Sequence, residues 1–135
     1  MNRDALTYSI ETSPGAAEVA ELYRAAGLNR PVDDLERIGR MLAGSDLIVC
    51  ARAGDRLAGI ARSVTDFSYA CYLSDLAVHP YFQRAGAGRE LIQRTREALG
   101  PEVALILLAA PSAKDYYGHI GFDHAPNCWM IARQR

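Results

Sequence analysis

A short glycine-rich segment carries the clearest chemical signal in the sequence. It runs Gln83-Arg84-Ala85-Gly86-Ala87-Gly88, lies between a strand-like and a helix-like stretch, and is followed by Arg89. The first N–H groups of a helix have no partner inside the helix, and the helix dipole favours negative charge there. Gly86 and Gly88 have no Cβ atoms, so an anion can approach the backbone closely. Arg84 and Arg89 add hydrogen-bond donors and positive charge. The segment predicts a phosphate-binding loop, with a purely structural turn as the alternative.

Two common nucleotide-binding loops do not match this segment. A Walker A loop requires Lys and then Ser or Thr after its glycine, whereas Gly88 precedes Arg89-Glu90. A dinucleotide fingerprint requires three glycines and an acidic residue about twenty positions later, where this chain has the apolar run 103–110. Both kinds of site are therefore excluded.

The loop and a downstream aromatic pair resemble two motifs of the GNAT superfamily of N-acetyltransferases. Gln-x-x-Gly-x-Gly after Ala77-Val78-His79-Pro80 is similar to motif A of that superfamily. The run Tyr-Tyr-Gly-His-Ile-Gly-Phe at 116–122 is similar to motif B, an aromatic-Tyr pair before Gly-Phe. The two motifs have the superfamily's order and spacing, and the resemblance covers nearly the whole chain.

This resemblance implies an α/β (α+β) architecture, the GNAT fold, with a site for acetyl-CoA. In that fold a mixed, mostly antiparallel sheet carries about four helices and two splayed central parallel strands, here 70–78 and 103–110. The pantetheine arm of acetyl-CoA would lie between them, at the carboxyl ends where ligands bind. Backbone pairing would come from Leu76, Ala77 and Val78, and the pyrophosphate would lie against Gln83, Arg84, Ala85, Gly86, Ala87, Gly88 and Arg89.

The implied reaction is direct attack of a primary amine on the thioester within a ternary complex, with no metal. Tyr117 stands at the superfamily's acid position, and a tyrosine keeps its proton near neutral pH. Tyr116 would pack or form a wall of the CoA cleft. Asp75 precedes the cofactor-binding part of its strand, which makes it a candidate base, with Asp66 as a second candidate. A structural role is the alternative for Asp75.

One position departs from the superfamily's pattern, and the acceptor stays open. Ala110 stands where many relatives have an asparagine on the CoA arm, so Ser112 or a backbone group would supply that contact, or it would be absent. Leu-Tyr-x-x-x-Gly-Leu at 22–28 is similar to small bacterial and plastid-type arylalkylamine acetyltransferases. The partner would be a small-molecule amine, or alternatively a peptide amine. A GNAT-fold acyl-CoA sensor or interaction module without turnover is the alternative to an enzyme.

Strand and helix signals along the chain indicate which elements position these residues. Strand-like runs occupy 6–12, 46–53, 56–65, 70–78, 103–110 and 122–133. Helix signals begin at Ser13-Pro14 and end at Gly27, then occupy 33–44, 86–99 and 112–119. The run 103–110 is almost wholly apolar, which is typical of a central strand covered on both faces. The order β-α-α-β-β-β-α-β-α-β predicts a mixed sheet with helices packed on it.

Composition and charge narrow the class of protein further. The length of 135 residues predicts one domain, 1–135. There are 15 basic and 16 acidic residues, so no basic excess indicates nucleic acid or an anionic membrane surface. No apolar run is long enough to span a bilayer, and the polar N-terminus is unlike a signal peptide. We expect a cytoplasmic protein, and the resemblance also admits a homodimer through the final strands.

Overall fold

The computed structural model describes residues 5–113 and 115–135, except for the side chains of Arg84, Ala85 and Ser112. These residues form five strands and four α-helices. The elements are β1 (Thr7–Ile10), α1 (Ala16–Ala26), α2 (Leu35–Ala43), β2 (Leu47–Ala53), β3 (Arg56–Thr65), β4 (Ala70–Val78), α3 (Ala87–Leu99), β5 (Ala104–Ile106) and α4 (Tyr116–His119). Short 3-10 turns occupy Pro80–Ala85 and Pro111–Ala113. The proposed roles of the Arg84, Ala85 and Ser112 side chains therefore lie outside the described atoms.

The strands form one mixed sheet in the order β1-β2-β3-β4-β5. The first four strands are antiparallel neighbours, and β5 runs parallel to β4. Strand residues alternate between the two faces of a sheet. One face therefore packs Ile48 and Ile60 against α1 and α2, and the other packs Val49 and Ala61 against α3. This arrangement confirms the predicted mixed, mostly antiparallel sheet with about four helices.

Most helix ends follow the predicted signals. The side chain of Asp34 caps α2 by accepting from the Arg37 N–H at 3.0 Å, and Gly27, Gly44 and Gly100 lie at the C-terminal ends of α1, α2 and α3. The predicted start of α1 at Ser13-Pro14 is wrong by two residues, because Gly15 is its N-cap.

The start of α1 is set by Glu18. Its carboxylate accepts from the Gly15 N–H at 3.0 Å and also pairs with Arg52 of β2 at 2.7 Å. The same Arg52 pairs with Glu11 at 2.8 Å, just after β1. These tertiary contacts hold the first turn of α1 against the sheet and determine where the helix begins.

The C-terminal part of the sheet is shorter than predicted. β5 has only three residues, lies at the sheet edge, and leaves Ile106 51% exposed, so it is not a central strand covered on both faces. Residues 122–133 form no strand, and Trp129 is 94% exposed. Strands need a neighbour for their backbone groups, and β4 pairs with β5 only from Ala70 to Tyr72. Residues 107–110 therefore have no partner on β4, and no ladder continues to residues 122–133.

No helix in the described part of the chain has the length and apolar character to cross a membrane. The homodimer stays a prediction, since a single chain does not test it.

We expect Gly59→Ala to lower the free energy of unfolding by about 1–2 kcal/mol, because the position is already filled by its neighbours. A Cβ there would lie 3.0 Å from Leu91 Cδ1, on the fully buried face of α3, and 3.4 Å from the carbonyl oxygen of Ala77. The measurement is urea unfolding followed by circular dichroism.

The matched control is Gly39→Ala within α2, where a Cβ meets no atom within 4 Å. The higher helix propensity of alanine should raise the free energy of unfolding by about 0.5–1 kcal/mol. Equal effects of the two substitutions would contradict the close packing of α3 on β3.

Candidate active site

A bulge in β4 opens the sheet beside its last residues. The register between β3 and β4 shifts between Arg62 and Ser63, which leaves Ser74 without a partner residue. A bulge bends and twists its strand. Beyond it β4 diverges from the chain after β5, and a cleft of about 1060 Å³ lies between Leu76–Val78 on one side and Leu107–Ala110 on the other. The predicted splaying of the two parallel strands is therefore present.

Leu76 and Val78 turn their N–H groups toward this cleft. In an antiparallel ladder, successive residues alternate between facing the partner strand and facing away. The His79 N–H donates to the carbonyl oxygen of Ala58 on the β3 side at 2.8 Å, so Ala77 also directs its backbone groups to β3. The N–H groups of Leu76 and Val78 consequently face the open side, whereas the backbone of Ala77 belongs to the ladder.

Gln83 fixes the end of β4 to the loop that follows. Its side-chain amide donates to the carbonyl oxygen of Val78 at 3.1 Å, and Gln83 also lines the cleft. This bond satisfies the carbonyl oxygen of Val78 and leaves the Val78 N–H free for a ligand. Gln83 therefore positions the strand end as well as opening the loop.

The glycine-rich loop leads to a helix N-terminus that none of the described side chains caps. Gly86 has φ 76°, a left-handed conformation that favours glycine, and α3 begins at Ala87. Among the described atoms, none lies within 4 Å of where a Cβ at Gly86 would be, and the Arg89 side chain is exposed nearby. Unpartnered N–H groups, open space and a positive charge thus meet at one place, which suits an anion.

Tyr116 covers the first turn of α3. A Cβ at Gly88 would lie 3.3 Å from the Tyr116 hydroxyl, so a larger residue at 88 would press on that side chain. This contact connects α4 directly to the candidate phosphate site.

Tyr117 lines the cleft from α4. Its ring makes edge contacts with Tyr116 and Phe122, at centroid distances of 5.2 Å and 5.5 Å, and the Phe122 N–H donates to its carbonyl oxygen at 3.0 Å. Burial, and then the neighbouring Tyr116, raise the pKa of Tyr117. Its phenol is therefore protonated at neutral pH and able to donate.

Asp75 lies under the bulge and is fully buried. Its Oδ1 accepts from Arg30 Nε at 2.6 Å, and its Oδ2 accepts from Arg62 Nε at 2.6 Å and from the Tyr23 hydroxyl at 2.7 Å. Burial raises the pKa of Asp75, but the hydrogen bond and charge of Arg62 and the charge of Arg30 outweigh it and hold the pKa below its usual value. A carboxylate in these bonds is a poor proton acceptor, so the geometry favours the structural alternative.

Asp66, the second candidate base, lies at the opposite end of β4 from the cleft. Its carboxylate accepts from the N–H groups of Ser68 and Tyr69 at 2.9 Å and 2.8 Å, which shapes the turn between β3 and β4. In the described part of the chain, no group of three or more His, Cys, Asp or Glu side chains is arranged to hold a metal ion.

Arg30 and Arg62 are among the site residues that were missed from the sequence. They brace the bulge, since Arg30 Nη2 donates to the carbonyl oxygen of Ser74 at 2.9 Å and Arg62 Nη2 to its hydroxyl at 3.0 Å. A signal for Arg62 was present, because it directly follows the apolar run Leu57–Ala61 and lies opposite Asp75 once β3 and β4 are aligned. Arg30 lies in a loop, and no pattern links it to β4.

Comparison with known proteins identifies the family. Residues 19–127 match the family model described as an acetyltransferase (GNAT) domain. The chain belongs to the GNAT acetyltransferase family. This GNAT chain is 30% identical over 120 residues to the uncharacterized N-acetyltransferase ycf52 of Pyropia yezoensis. The match covers 82% of the chain but spans only 66% of that relative's length.

Solved structures show the same fold at lower identity. A GNAT-family acetyltransferase of Streptococcus pneumoniae TIGR4 has a TM-score of 0.74 and 24% identity, over 96% of this GNAT chain and 100% of its own. The aminoglycoside N-acetyltransferase AAC(6')-Iy in complex with CoA has a TM-score of 0.70 and 16% identity, over 97% and 96% of the two chains. These similarities establish the architecture of the GNAT chain and not its substrate.

We expect Asp75→Asn to lower the free energy of unfolding by about 3–5 kcal/mol, because it leaves buried guanidinium charge without its counter-ion. The Arg62 side chain is only 9% exposed in this pair. The matched control is Glu36→Gln in the exposed pair with Arg40, where Glu36 is 89% exposed and the expected loss is under about 1 kcal/mol. A variant that unfolds like the wild type but has lost its activity would instead support Asp75 as the base.

The same carboxylate predicts an acid-side loss of stability in the wild type. Its pKa is lower in the folded than in the unfolded state, so its stabilisation is complete above the ordinary aspartate pKa of about 3.9 and is lost as the pH falls through the folded pKa. Unfolding curves measured from pH 6 down to pH 2 should show this loss, roughly over that range, in the wild type and much less in Asp75→Asn.

Proposed function

We propose that this GNAT chain transfers the acetyl group of acetyl-CoA to a primary amine by direct attack in a ternary complex. The observation that carries the proposal is one cleft. It joins the free N–H groups of Leu76 and Val78 to Tyr117 on the opposite wall and to Gln83, in the loop before α3. The family supports acyl transfer, and the CoA complex of AAC(6')-Iy shows that a protein of this fold binds CoA.

The cleft has the features that the two halves of the cofactor require. The pantetheine amides would pair with the open edge of β4 at Leu76 and Val78, as an added strand would. The pyrophosphate would accept from the N–H groups of Gly86, Ala87, Gly88 and Arg89, with Tyr116 covering that turn. Arg84, Ala85 and Ser112 stay proposed contacts, since their side chains are not described.

Different residues of the cleft would act on different atoms of the reaction. Bound acetyl-CoA supplies a thioester. The N–H of Leu76 or Val78 would stabilise the negative charge that develops on the thioester oxygen as the amine nitrogen attacks the carbonyl carbon. The C–S bond breaks, and the Tyr117 phenol would give its proton to the departing thiolate. The phenolate would then regain a proton, through water, from the nitrogen that has become the amide.

The amine's own proton has no carboxylate or imidazole acceptor on the described cleft wall. Arginine side chains line that wall instead, and positive charge lowers the pKa of a nearby ammonium group. We therefore propose that the amine loses its proton to water and enters neutral, and that Asp75 acts by holding the arginines in place.

A sensor that binds acetyl-CoA without turnover is the second candidate, and a peptide amine is the alternative acceptor. Thiol release from acetyl-CoA, measured with a panel of small amines and short peptides, separates the three. Turnover with small amines supports the proposal, and turnover restricted to peptides would mean that the acceptor is a peptide amine. Binding of acetyl-CoA, measured by calorimetry, without any turnover favours the sensor. The cytoplasmic location and the single-domain organisation stay predictions.

Tyr117→Phe should lower kcat by about 10²-fold or more, because the ring stays in place and only the proton donor is lost. The dissociation constant for CoA, measured by calorimetry, should change by less than about twofold. Tyr69→Phe is the matched control, since Tyr69 is 79% exposed and lies at the far end of β4. Unaltered turnover in Tyr117→Phe across neutral pH would remove the acid role.

Gly88→Ala should weaken CoA binding by about tenfold, because its methyl group would occupy space at the first turn of α3. Gly86 is less suitable, since a side chain at φ 76° strains the backbone as well. The double variant Gly88→Ala/Tyr116→Phe removes the hydroxyl that lies 3.3 Å from the new methyl group. If phosphate binds there, affinity stays below that of Tyr116→Phe alone. Affinity equal to that of Tyr116→Phe would show that the defect was only packing against Tyr116.

A further inference from the structure

Positive charge is concentrated on one side of the cleft. Five arginines line it, and no Asp or Glu among the residues that the structure describes does so. They are Arg30, Arg37, Arg62, Arg133 and Arg135. The whole chain has a net charge of −1, yet five of its 15 basic residues face this one cavity. The excess of arginine in the cleft therefore does not reflect the overall composition of the chain.

Only part of this charge is neutralised by the protein. Asp75 pairs with both Arg30 and Arg62 from behind the wall. Arg37 Nη2 donates to a main-chain oxygen of Arg135 at 3.4 Å, and no side-chain carboxylate among the described residues pairs with Arg37 or Arg133. Among the described side chains, one carboxylate, Asp75, is therefore set against five guanidinium groups, which leaves a net positive side-chain charge around the cleft.

These arginines lie away from the candidate phosphate site. Arg30 and Arg62 contact Ser74, which precedes Leu76 on β4, and Arg37 lies on α2. The loop before α3 follows Val78, at the other end of the same strand segment. Acetyl-CoA bound along this segment of β4 would have its phosphates toward α3 and its acetyl group toward the arginines. The cationic wall is thus on the side from which the amine must come.

We infer that the acceptor of this chain is an amine that also carries an anionic group, a carboxylate or a phosphate ester; the inference rests on the proposed function. A guanidinium fork binds either oxyanion through two parallel hydrogen bonds. The unneutralised charge attracts such an acceptor and repels a polycationic one. It also lowers the pKa of the attacking amine, so recognition and activation come from the same residues.

Matched pairs of amines test this inference by acetyl transfer. Lysine is compared with cadaverine, tryptophan with tryptamine, and phosphoethanolamine with ethanolamine, with kanamycin as a polycation. We expect kcat/KM for the anionic member to exceed that of its partner by about tenfold or more in at least one pair, and kanamycin to be the poorest acceptor. A preference in the amino acid pairs identifies a carboxylate, and one in the ethanolamine pair identifies a phosphate.

Arg37→Gln should reduce that preference by about tenfold and leave the KM for acetyl-CoA within about twofold. Arg40→Gln is the control, on the same helix but 65% exposed in its pair with Glu36 and outside the cleft lining. Turnover that favours neutral amines or kanamycin would overturn the inference and leave the proposed function intact. A rise in the KM for acetyl-CoA in Arg37→Gln, with the preference unchanged, would also overturn it, by assigning Arg37 to the donor. No turnover of any amine would overturn the proposed function itself.

Discussion

The buried carboxylate of Asp75 is the constraint on which the rest of this architecture depends. It binds Arg62 of β3, Arg30 of the loop after α1, and Tyr23 of α1 within 2.7 Å. Through those arginines it braces the bulge at Ser74. A buried carboxylate is tolerated only when partners donate hydrogen bonds to its oxygens. This network therefore fixes the positions of α1, β3 and β4 relative to one another.

The cleft begins where the bulge lies. β4 leaves β5 after Tyr72, and the backbone N–H groups along the open edge that results have no partner on a neighbouring strand and can meet a ligand. The arginines that neutralise Asp75 also line the cleft. Under the proposed function, stability and substrate chemistry would share these residues, and the absence of a side-chain base would follow from a wall made of cations.

The sequence predicted the positions of the glycine loop and the aromatic pair better than it predicted the opposite wall of the cleft. The loop at 83–88 and the aromatic pair Tyr116-Tyr117 are local signals, because phosphate binding at a helix N-terminus depends on glycines that neighbour one another in the chain. Asp75 was recognised as important, but its choice between base and structural ion pair depended on Arg30, 45 residues away. The prediction of strands at 103–110 and 122–133 failed beyond Ile106, since apolar content does not show whether a partner strand is present.

The sequence by itself determined the order of elements as far as α4, most helix ends, the glycine loop and the family, because each rests on contacts between near neighbours or on a motif. Only the tertiary structure decided where β4 and β5 part, which N–H groups of Leu76–Val78 are free, and that five arginines from separate segments face one cavity. These features depend on strand register and on side chains far apart in the chain. Their energies come from burial and pairing, which local sequence does not encode.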